Sequence, residues 1–137
     1  MNRALLDTDT LSYFLKGNPA VVARAAEYLT LYQRLEFSTI TYYEIVRGLI
    51  HSGATRKLAK FEELCRSSAL WPLESMAARH AAEICAALWH AGEPLDEADI
   101  LIAGTARAHD LTLISNNQRH FARVSGLDLS NWSEGAG

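Results

Sequence analysis

Apolar residues along the chain form short runs that alternate with longer segments in which they recur at helical spacing. A short apolar run bounded by turn residues is typical of a buried strand, whereas apolar residues three or four positions apart favour one face of a helix. The predicted strands are residues 4–6, 36–40, 70–73, 111–115 and 127–129. The predicted helices are residues 11–15, 21–35, 41–53, 55–67, 75–91 and 96–108.

Polar residues and glycines mark the ends of several of these helices. The side chains of residues 7–10 can cap the first helix, Asn18 and Asp96 stand at the N-cap positions of two others, and Gly53 and Gly92 each end a helix. Strands that alternate with helices indicate βαβ units, in which helices cover both faces of a parallel sheet. The sequence therefore predicts a three-layer α/β/α fold with a central parallel sheet of four or five strands.

Length and composition agree with one globular domain. The chain has 137 residues, of which 49% are hydrophobic and 21% are charged, and a chain of this length can bury one sizeable core. We expect residues 1–132 to form a single domain and the small, polar residues 133–137 to fray. No apolar run reaches the roughly 20 residues of a membrane span, and the N-terminus lacks the pattern of a secretory signal, which predicts a cytoplasmic protein.

Three acidic residues follow predicted strands or begin predicted helices. Asp7 directly follows the first strand, Glu44 lies near the start of the helix after the second strand, and Asp99 lies near the start of the helix before residues 111–115. In parallel sheets, ligands bind beyond the carboxyl ends of the strands, at the point where the strand order reverses. We therefore expect these three carboxylates, which are far apart in sequence, to lie close together in the fold.

A cluster of carboxylates favours a divalent cation. Neighbouring carboxylates repel one another, and the hard cation Mg²⁺ takes oxygen ligands that would relieve this repulsion. The histidines and the two cysteines, Cys65 and Cys85, lack the spacing of a zinc site, so we interpret them as surface or helix-end residues and as small core residues, respectively. A cation of this kind polarises a phosphodiester, which makes phosphodiester hydrolysis the natural chemistry.

Each acid also has a structural interpretation. Glu44 stands three residues after Thr41, which is the spacing of a capping box, and Asp99 stands three residues after Asp96 at another helix start. Asp7 is harder to explain in this way, because a carboxylate buried beside an apolar strand is costly without a partner or an ion. The cap and metal interpretations of Glu44 and Asp99 both stay open at the level of sequence.

The charged residues of the chain bear on whether it binds nucleic acid. A net charge of −3 argues weakly against a protein that binds nucleic acid by overall positive charge, unless bound cations invert the charge locally. Ten of the thirteen basic residues are arginine, the residue best suited to bidentate phosphate contact. The weaker candidates for phosphate contact are Arg47, Arg107, Arg119 and Arg123.

Five segments, spread over nearly the whole chain, carry these acids and the apolar residues around them. They are residues 5–10 (LLDTDT), 39–45 (TITYYEI), 99–106 (DILIAGTA), 113–121 (LISNNQRHF) and 124–132 (VSGLDLSNW). In order and spacing they resemble the VapC-type PIN-domain toxins. No single segment carries the resemblance, which rests on the five together.

The resemblance implies an endoribonuclease that depends on Mg²⁺ or Mn²⁺, cuts structured RNA such as tRNA, forms homodimers and is inhibited by a small antitoxin encoded beside it. It assigns Asp7, Glu44 and Asp99 as the shared acids and metal ligands. Many members of the family place a fourth acid after the strand at residues 111–115, where this chain has Asn117 and His120. Asn117 can supply an amide oxygen and is the fourth candidate catalytic residue, but two-metal catalysis does not follow.

Two other functions stay open. Asp7 and Asp9 after the first strand also resemble the nucleophile loop of haloacid-dehalogenase-type phosphatases, in which the first Asp forms an aspartyl-phosphate. Leu11 stands where that loop has Thr or Val, and no suitably placed Lys precedes a later acidic pair. The second alternative is a PIN fold that has lost activity and serves as a binding module, an interpretation motivated by the missing fourth acid.

Overall fold

The computed structural model describes residues 1–134, which form five strands and seven helices. The strands are β1 (Ala4–Leu6), β2 (Glu36–Ser38), β3 (Ala69–Trp71), β4 (Thr112–Ile114) and β5 (Leu129–Ser130). The helices are α1 (Thr8–Leu15), α2 (Pro19–Tyr32), α3 (Thr39–Ser52), α4 (Thr55–Arg66), α5 (Ser75–His90), α6 (Glu97–Ala108) and α7 (Gln118–Phe121). None of these helices is long and apolar enough to cross a membrane.

The five strands pair in parallel in one sheet, in the order β3-β2-β1-β4-β5. β1 lies at the centre, with Leu6 opposite Phe37 of β2 on one side and opposite Ile114 of β4 on the other. The strand order reverses at β1, because the chain passes from β1 to β2 and β3 on one side and then crosses to β4 and β5 on the other. The predicted parallel sheet is confirmed.

Alternate residues of the strands pack into two apolar cores, one on each face of the sheet. Leu6 and Phe37 pack with residues of α1 to α4 in one core, whereas Leu5 and Leu113 pack with residues of α5 to α7 in the other. Successive side chains of a strand point to opposite faces, so β1 contributes to both cores. Helices therefore cover both faces of the sheet, which confirms the predicted α/β/α layers.

Two predicted boundaries around β2 are wrong, and local backbone features explain why. The second helix ends at Tyr32 and not at residue 35, because Gln33 adopts a left-handed conformation with a φ of 73°. The second strand ends at Ser38 and not at residue 40, because the Ser38 hydroxyl accepts a hydrogen bond from the Thr41 backbone N–H at 3.1 Å and caps α3. Side-chain hydrogen bonds of this kind compete with strand pairing, and the apolar pattern does not report them.

The other differences concern short elements and the two ends of the chain. α1 begins at Thr8, three residues before the predicted start, and the short helix α7 was not predicted. Of the predicted frayed tail, residues 135–137 lie outside the described residues, whereas Ser133 donates its hydroxyl to the Asn131 Oδ1 atom at 2.6 Å. That residues 1–132 form a single domain stays a prediction.

A buried carboxylate organises the amino ends of the strands. Glu36, the first residue of β2, is 2% exposed and accepts hydrogen bonds from Arg3 Nη2 at 2.5 Å, from the Tyr28 hydroxyl and from Trp71 Nε1 at 3.1 Å. A buried charge is tolerated when it is paired and hydrogen-bonded in this way. Glu36 therefore has a structural role that links α2 to three strands, and its negative charge is matched by Arg3.

The contact between α5 and α6 depends on a glycine. A Cβ atom at Gly104 would lie 2.7 Å from the Ala81 Cβ atom and 2.8 Å from the Ala77 carbonyl oxygen, whereas a Cβ atom at Gly48 of α3 would meet nothing within 4 Å. Only a residue without a side chain lets the two helices approach so closely at position 104.

We expect Gly104→Ala to lower the free energy of unfolding by about 1–3 kcal/mol, because the added methyl group forces α5 and α6 apart. Gly48→Ala is the matched control and should raise that free energy by about 0.5–1 kcal/mol, because Ala forms helix better than Gly. Urea denaturation of the two variants measures both effects. Equal stability of the two variants would contradict the close packing of α5 on α6.

Candidate active site

Asp7 follows β1 at the centre of the sheet and is 4% exposed. Its backbone N–H donates to the Ile114 carbonyl oxygen of β4 at 3.0 Å, and its carboxylate accepts from the Thr10 backbone N–H at 2.8 Å as the N-cap of α1. Burial raises the pKa of Asp7, and hydrogen bonds from Ser115 and Thr10 oppose this rise. Among the described residues, no lysine or arginine forms a salt bridge with Asp7. Asp7 is therefore a buried carboxylate that only hydrogen bonds hold in place.

Glu44 lies in the second turn of α3 and accepts a hydrogen bond from the Thr8 hydroxyl at 2.5 Å. Thr8 Oγ1 also lies 3.1 Å from Thr41 Oγ1. Because Ser38 caps α3 in place of Thr41, the capping-box interpretation of Glu44 is wrong. The Glu44 carboxylate instead connects the start of α3 to the start of α1, next to Asp7.

Asp99 lies in the first turn of α6, and its pKa is raised to about 6. Burial is the largest cause, and the negative charges of Asp7, Asp96, Glu44 and Asp9 add to it in that order. Asp96 occupies the N-cap position of α6 but makes no side-chain cap hydrogen bond, so it does not cap the helix as predicted. The three predicted carboxylates thus lie within electrostatic range of one another, and two further acids surround them.

The donor atoms in this cluster fit a hard divalent cation. Within residues 1–134, no three His, Cys, Asp or Glu side chains converge closely enough to form a ready-made metal cage. Mg²⁺ does not require one, because it keeps several of its waters and binds through one or two carboxylates. Positive charge at this place would relieve the repulsion that disfavours the ionised form of Asp99. The fit therefore rests on the oxygen chemistry and mutual repulsion of the acids.

Asn117, the fourth candidate catalytic residue, lies just before α7 and beside a histidine. Its Oδ1 atom is 2.5 Å from His120 Nδ1, and its backbone N–H donates to the Ser115 hydroxyl at 2.9 Å. Ser115 in turn lies beside the Asp7 carboxylate. Asn117 is therefore connected to the acids through Ser115 and engages His120 with its own side chain.

Two of the four arginines singled out in the sequence are engaged in other contacts. Arg107 donates to His80 Nδ1 at 2.8 Å and to Glu83 at 3.0 Å, and Arg123 donates to the Glu93 carbonyl oxygen at 3.1 Å. These contacts are structural and leave neither guanidinium group free in this conformation. The expectation of phosphate contact at these two arginines is therefore not supported by the structure.

Two site residues were missed in the sequence because they are not charged. Thr8 holds Glu44, and Ser115 lies between Asp7 and the backbone of Asn117. Ser115 directly follows β4, and Thr8 is the second residue after β1. Position after β1 or β4 is the signal that could have identified both hydroxyl groups.

Comparison with known proteins matches this chain to one family. The profile of the PIN domain family matches residues 4–127. A Shigella flexneri protein named tRNA(fMet)-specific endonuclease VapC is 33% identical over 135 residues, which cover 97% of this chain and 100% of that protein. Ribonuclease VapC1 of Haemophilus influenzae strain R2866 is 29% identical over 132 residues, which cover 95% of this chain and 98% of that protein.

Solved structures give the same result. The DNA-bound VapBC complex of Salmonella typhimurium contains a chain that superposes with a TM-score of 0.86 and 31% identity, covering 96% of this chain and 99% of that one. A chain of VapBC-1 from nontypeable Haemophilus influenzae superposes with a TM-score of 0.85 and 26% identity, covering 96% and 98% of the two chains. A parallel sheet whose strand order reverses at β1, a buried acid at that point and these similarities lead to one conclusion: the chain belongs to the PIN domain family.

Proposed function

We propose that this protein is an endoribonuclease that requires Mg²⁺ or Mn²⁺ and acts as the toxin of a type II toxin–antitoxin pair. The single observation that carries the proposal is the cluster of acids around the buried Asp7 at the carboxyl end of β1, in a chain of the PIN domain family. Two proteins similar to this chain are named as an endonuclease and a ribonuclease. Among the described residues, no basic side chain forms a salt bridge with these acids. A bound divalent cation would balance their negative charge and would bind the phosphodiester.

Asp7 and Asp99, with Glu44 beside them, are the proposed metal ligands. A divalent cation bound there supplies a Lewis acid that polarises the phosphodiester and lowers the pKa of water. Asn117 is the proposed fourth catalytic residue, and its amide can orient a water molecule or the substrate. Its hydrogen bond with His120 fixes which way the amide points.

The surrounding residues of this chain fix the acids before any ligand binds. The Thr10 N–H holds one oxygen of the Asp7 carboxylate, and the Thr8 hydroxyl holds Glu44 at 2.5 Å. Burial of Asp7 keeps water away from one side of the cluster and strengthens electrostatic interactions there. Fixed, partly dehydrated carboxylates need little reorganisation to act on a bound phosphodiester.

The proposed substrate is structured RNA, tRNA above all. The protein is proposed to form a homodimer and to bind a small cognate antitoxin in a toxin–antitoxin hetero-oligomer. The substrate follows the name of the Shigella flexneri relative, and the antitoxin follows the VapBC complexes that contain similar chains. A cytoplasmic location accords with both proposals, because tRNA and a co-encoded partner are found there. The phosphatase alternative gains no support from the family match, and the inactive binding module is decided by the experiment below.

We expect purified wild-type protein to cleave total bacterial tRNA at discrete sites in Mg²⁺, and EDTA to abolish cleavage. Asp7→Asn and Asp99→Asn should fold and lose at least about 100-fold in rate, because each keeps the shape of the side chain and removes a charge needed for electrostatic stabilisation. Sequencing of RNA 5′ ends, in vitro and minutes after induction in a bacterial host, measures cleavage and gives the site.

The matched control is Asp128→Asn, which makes the same chemical change at an exposed acid outside the cluster and should cleave like wild type. Wild-type protein that is folded and yields no new RNA ends would refute the proposal and favour the inactive binding module. Release of phosphate from a generic aryl phosphate would instead favour the phosphatase.

A thermal shift experiment tests the metal site without reference to activity. In EDTA at pH 7.5 we expect Asp99→Asn to melt at a higher temperature than wild type, because it removes a partly buried charge that four neighbouring acids disfavour. Added Mg²⁺ should raise the melting temperature of wild type and of Asp128→Asn, and should leave that of Asp99→Asn unchanged. A wild-type protein that Mg²⁺ does not stabilise would contradict the assignment of these acids as metal ligands.

A further inference from the structure

All lysines of the chain line one groove. The sequence contains three, Lys16, Lys57 and Lys60, and each contributes to the wall of a groove of about 700 Å³ between α1, α3 and α4. Within residues 1–134, none of the three forms a salt bridge. The chain thus places three unpaired positive charges on one short stretch of surface, although its net charge is negative.

The groove opens onto the acid cluster. Thr8 and Glu44, which are hydrogen-bonded to each other, line it together with Lys16 and Lys57. On α1, residues 8, 12 and 16 recur every four positions along one face, so Lys16 lies two turns from Thr8 along the same wall. The lysines therefore place positive charge near the proposed site of cleavage, in the same groove that Thr8 and Glu44 line.

The two walls carry the charges and the floor is apolar. Lys57 and Lys60 are three residues apart on α4, so they extend from the same face of that helix, and Lys16 lines the groove from the end of α1. Ile45 and Leu49 of α3 line the groove between the walls. A groove with ammonium groups along its length suits a strand of nucleotides, whose phosphates contact the lysines.

We infer that this groove binds the RNA strand next to the scissile phosphodiester, with Lys16, Lys57 and Lys60 contacting its phosphates. The inference rests on the proposed function and adds to it the residues that position the substrate. The acid cluster repels RNA, so a substrate needs nearby positive charge to remain bound with its phosphodiester at the acids. Lysine supplies this charge without reading sequence, which fits a contact that positions the strand.

Gly48 gives the groove part of its depth. It lies in the middle of α3 and lines the groove, and no atom lies within 4 Å of the Cβ atom that another residue would place there. Glycine inside a helix is unfavourable relative to alanine, and no close packing requires it at this position. A larger side chain at this position would extend into the groove and narrow it.

Binding of labelled total bacterial tRNA, measured by filter retention in EDTA between 50 and 200 mM KCl, tests the inference independently of cleavage. The double variant Lys57→Gln/Lys60→Gln should bind roughly tenfold more weakly at about 100 mM salt, with a salt dependence about 1.5 shallower on logarithmic axes, because two phosphate contacts are lost. Lys57→Arg/Lys60→Arg keeps both charges and should bind close to the wild-type level.

The matched control is Arg56→Gln/Arg66→Gln, which removes two positive charges from the same helix at exposed positions outside the groove. Binding that is unchanged in the lysine variant, or weakened equally in both variants, would overturn the inference. So would a lysine variant that binds tRNA normally and no longer binds a co-expressed antitoxin, since the groove would then belong to a protein partner.

Failure of the proposed function gives a different pattern. If wild type binds tRNA through the lysines and cleaves nothing in Mg²⁺, the groove inference stands and the nuclease proposal fails. If wild type cleaves, and Lys57→Gln/Lys60→Gln binds and cleaves as well as Arg56→Gln/Arg66→Gln does, the nuclease proposal stands and the groove inference fails. The Mg²⁺ thermal shift should be the same in the lysine variant as in wild type, because neither lysine belongs to the acid cluster.

Discussion

The parallel pairing of β1 with both β2 and β4 is the constraint on which the rest of this structure depends. It makes β1 the central strand, so its residues pack alternately into the two cores, and it places the residue after β1 at the reversal of strand order. The Asp7 N–H continues the pairing by donating to the Ile114 carbonyl oxygen. The same hydrogen bond that extends the sheet thus fixes the position of Asp7, the most buried acid of the cluster.

The acids at the two ends of the strands differ in whether a basic residue balances their charge. At the amino ends of the strands, Glu36 is paired with Arg3 and receives hydrogen bonds from Tyr28 and Trp71. At the carboxyl ends, Asp7 and Asp99 have raised pKa values and, among the described residues, no basic partner. The first arrangement stabilises the fold, whereas the second lowers stability and creates the field that a divalent cation and an RNA phosphodiester would complete.

Much of the fold could be predicted from the sequence because apolar periodicity reports which residues are buried. The order of strands and helices and the parallel sheet followed from that pattern, and so did the expectation that acids after the strands would meet. The boundaries at Tyr32 and Ser38 could not be predicted, because a left-handed residue and a side-chain cap decide them. For the same reason the sequence left the cap interpretation of Glu44 open, and the cap that Ser38 forms on α3 removed it.

The sequence by itself determined which residue types are available: acids after apolar runs, the amide of Asn117 after the run at residues 111–115, and no set of ligands with the spacing of a zinc site. Only the tertiary structure decided which of them act together. It added Thr8 and Ser115 to the acids, engaged Arg107 and Arg123 in other contacts, and gathered three lysines from α1 and α4 in one groove. The physical reason is that these relations depend on the packing of elements distant in sequence, whereas periodicity records only the burial of each element by itself.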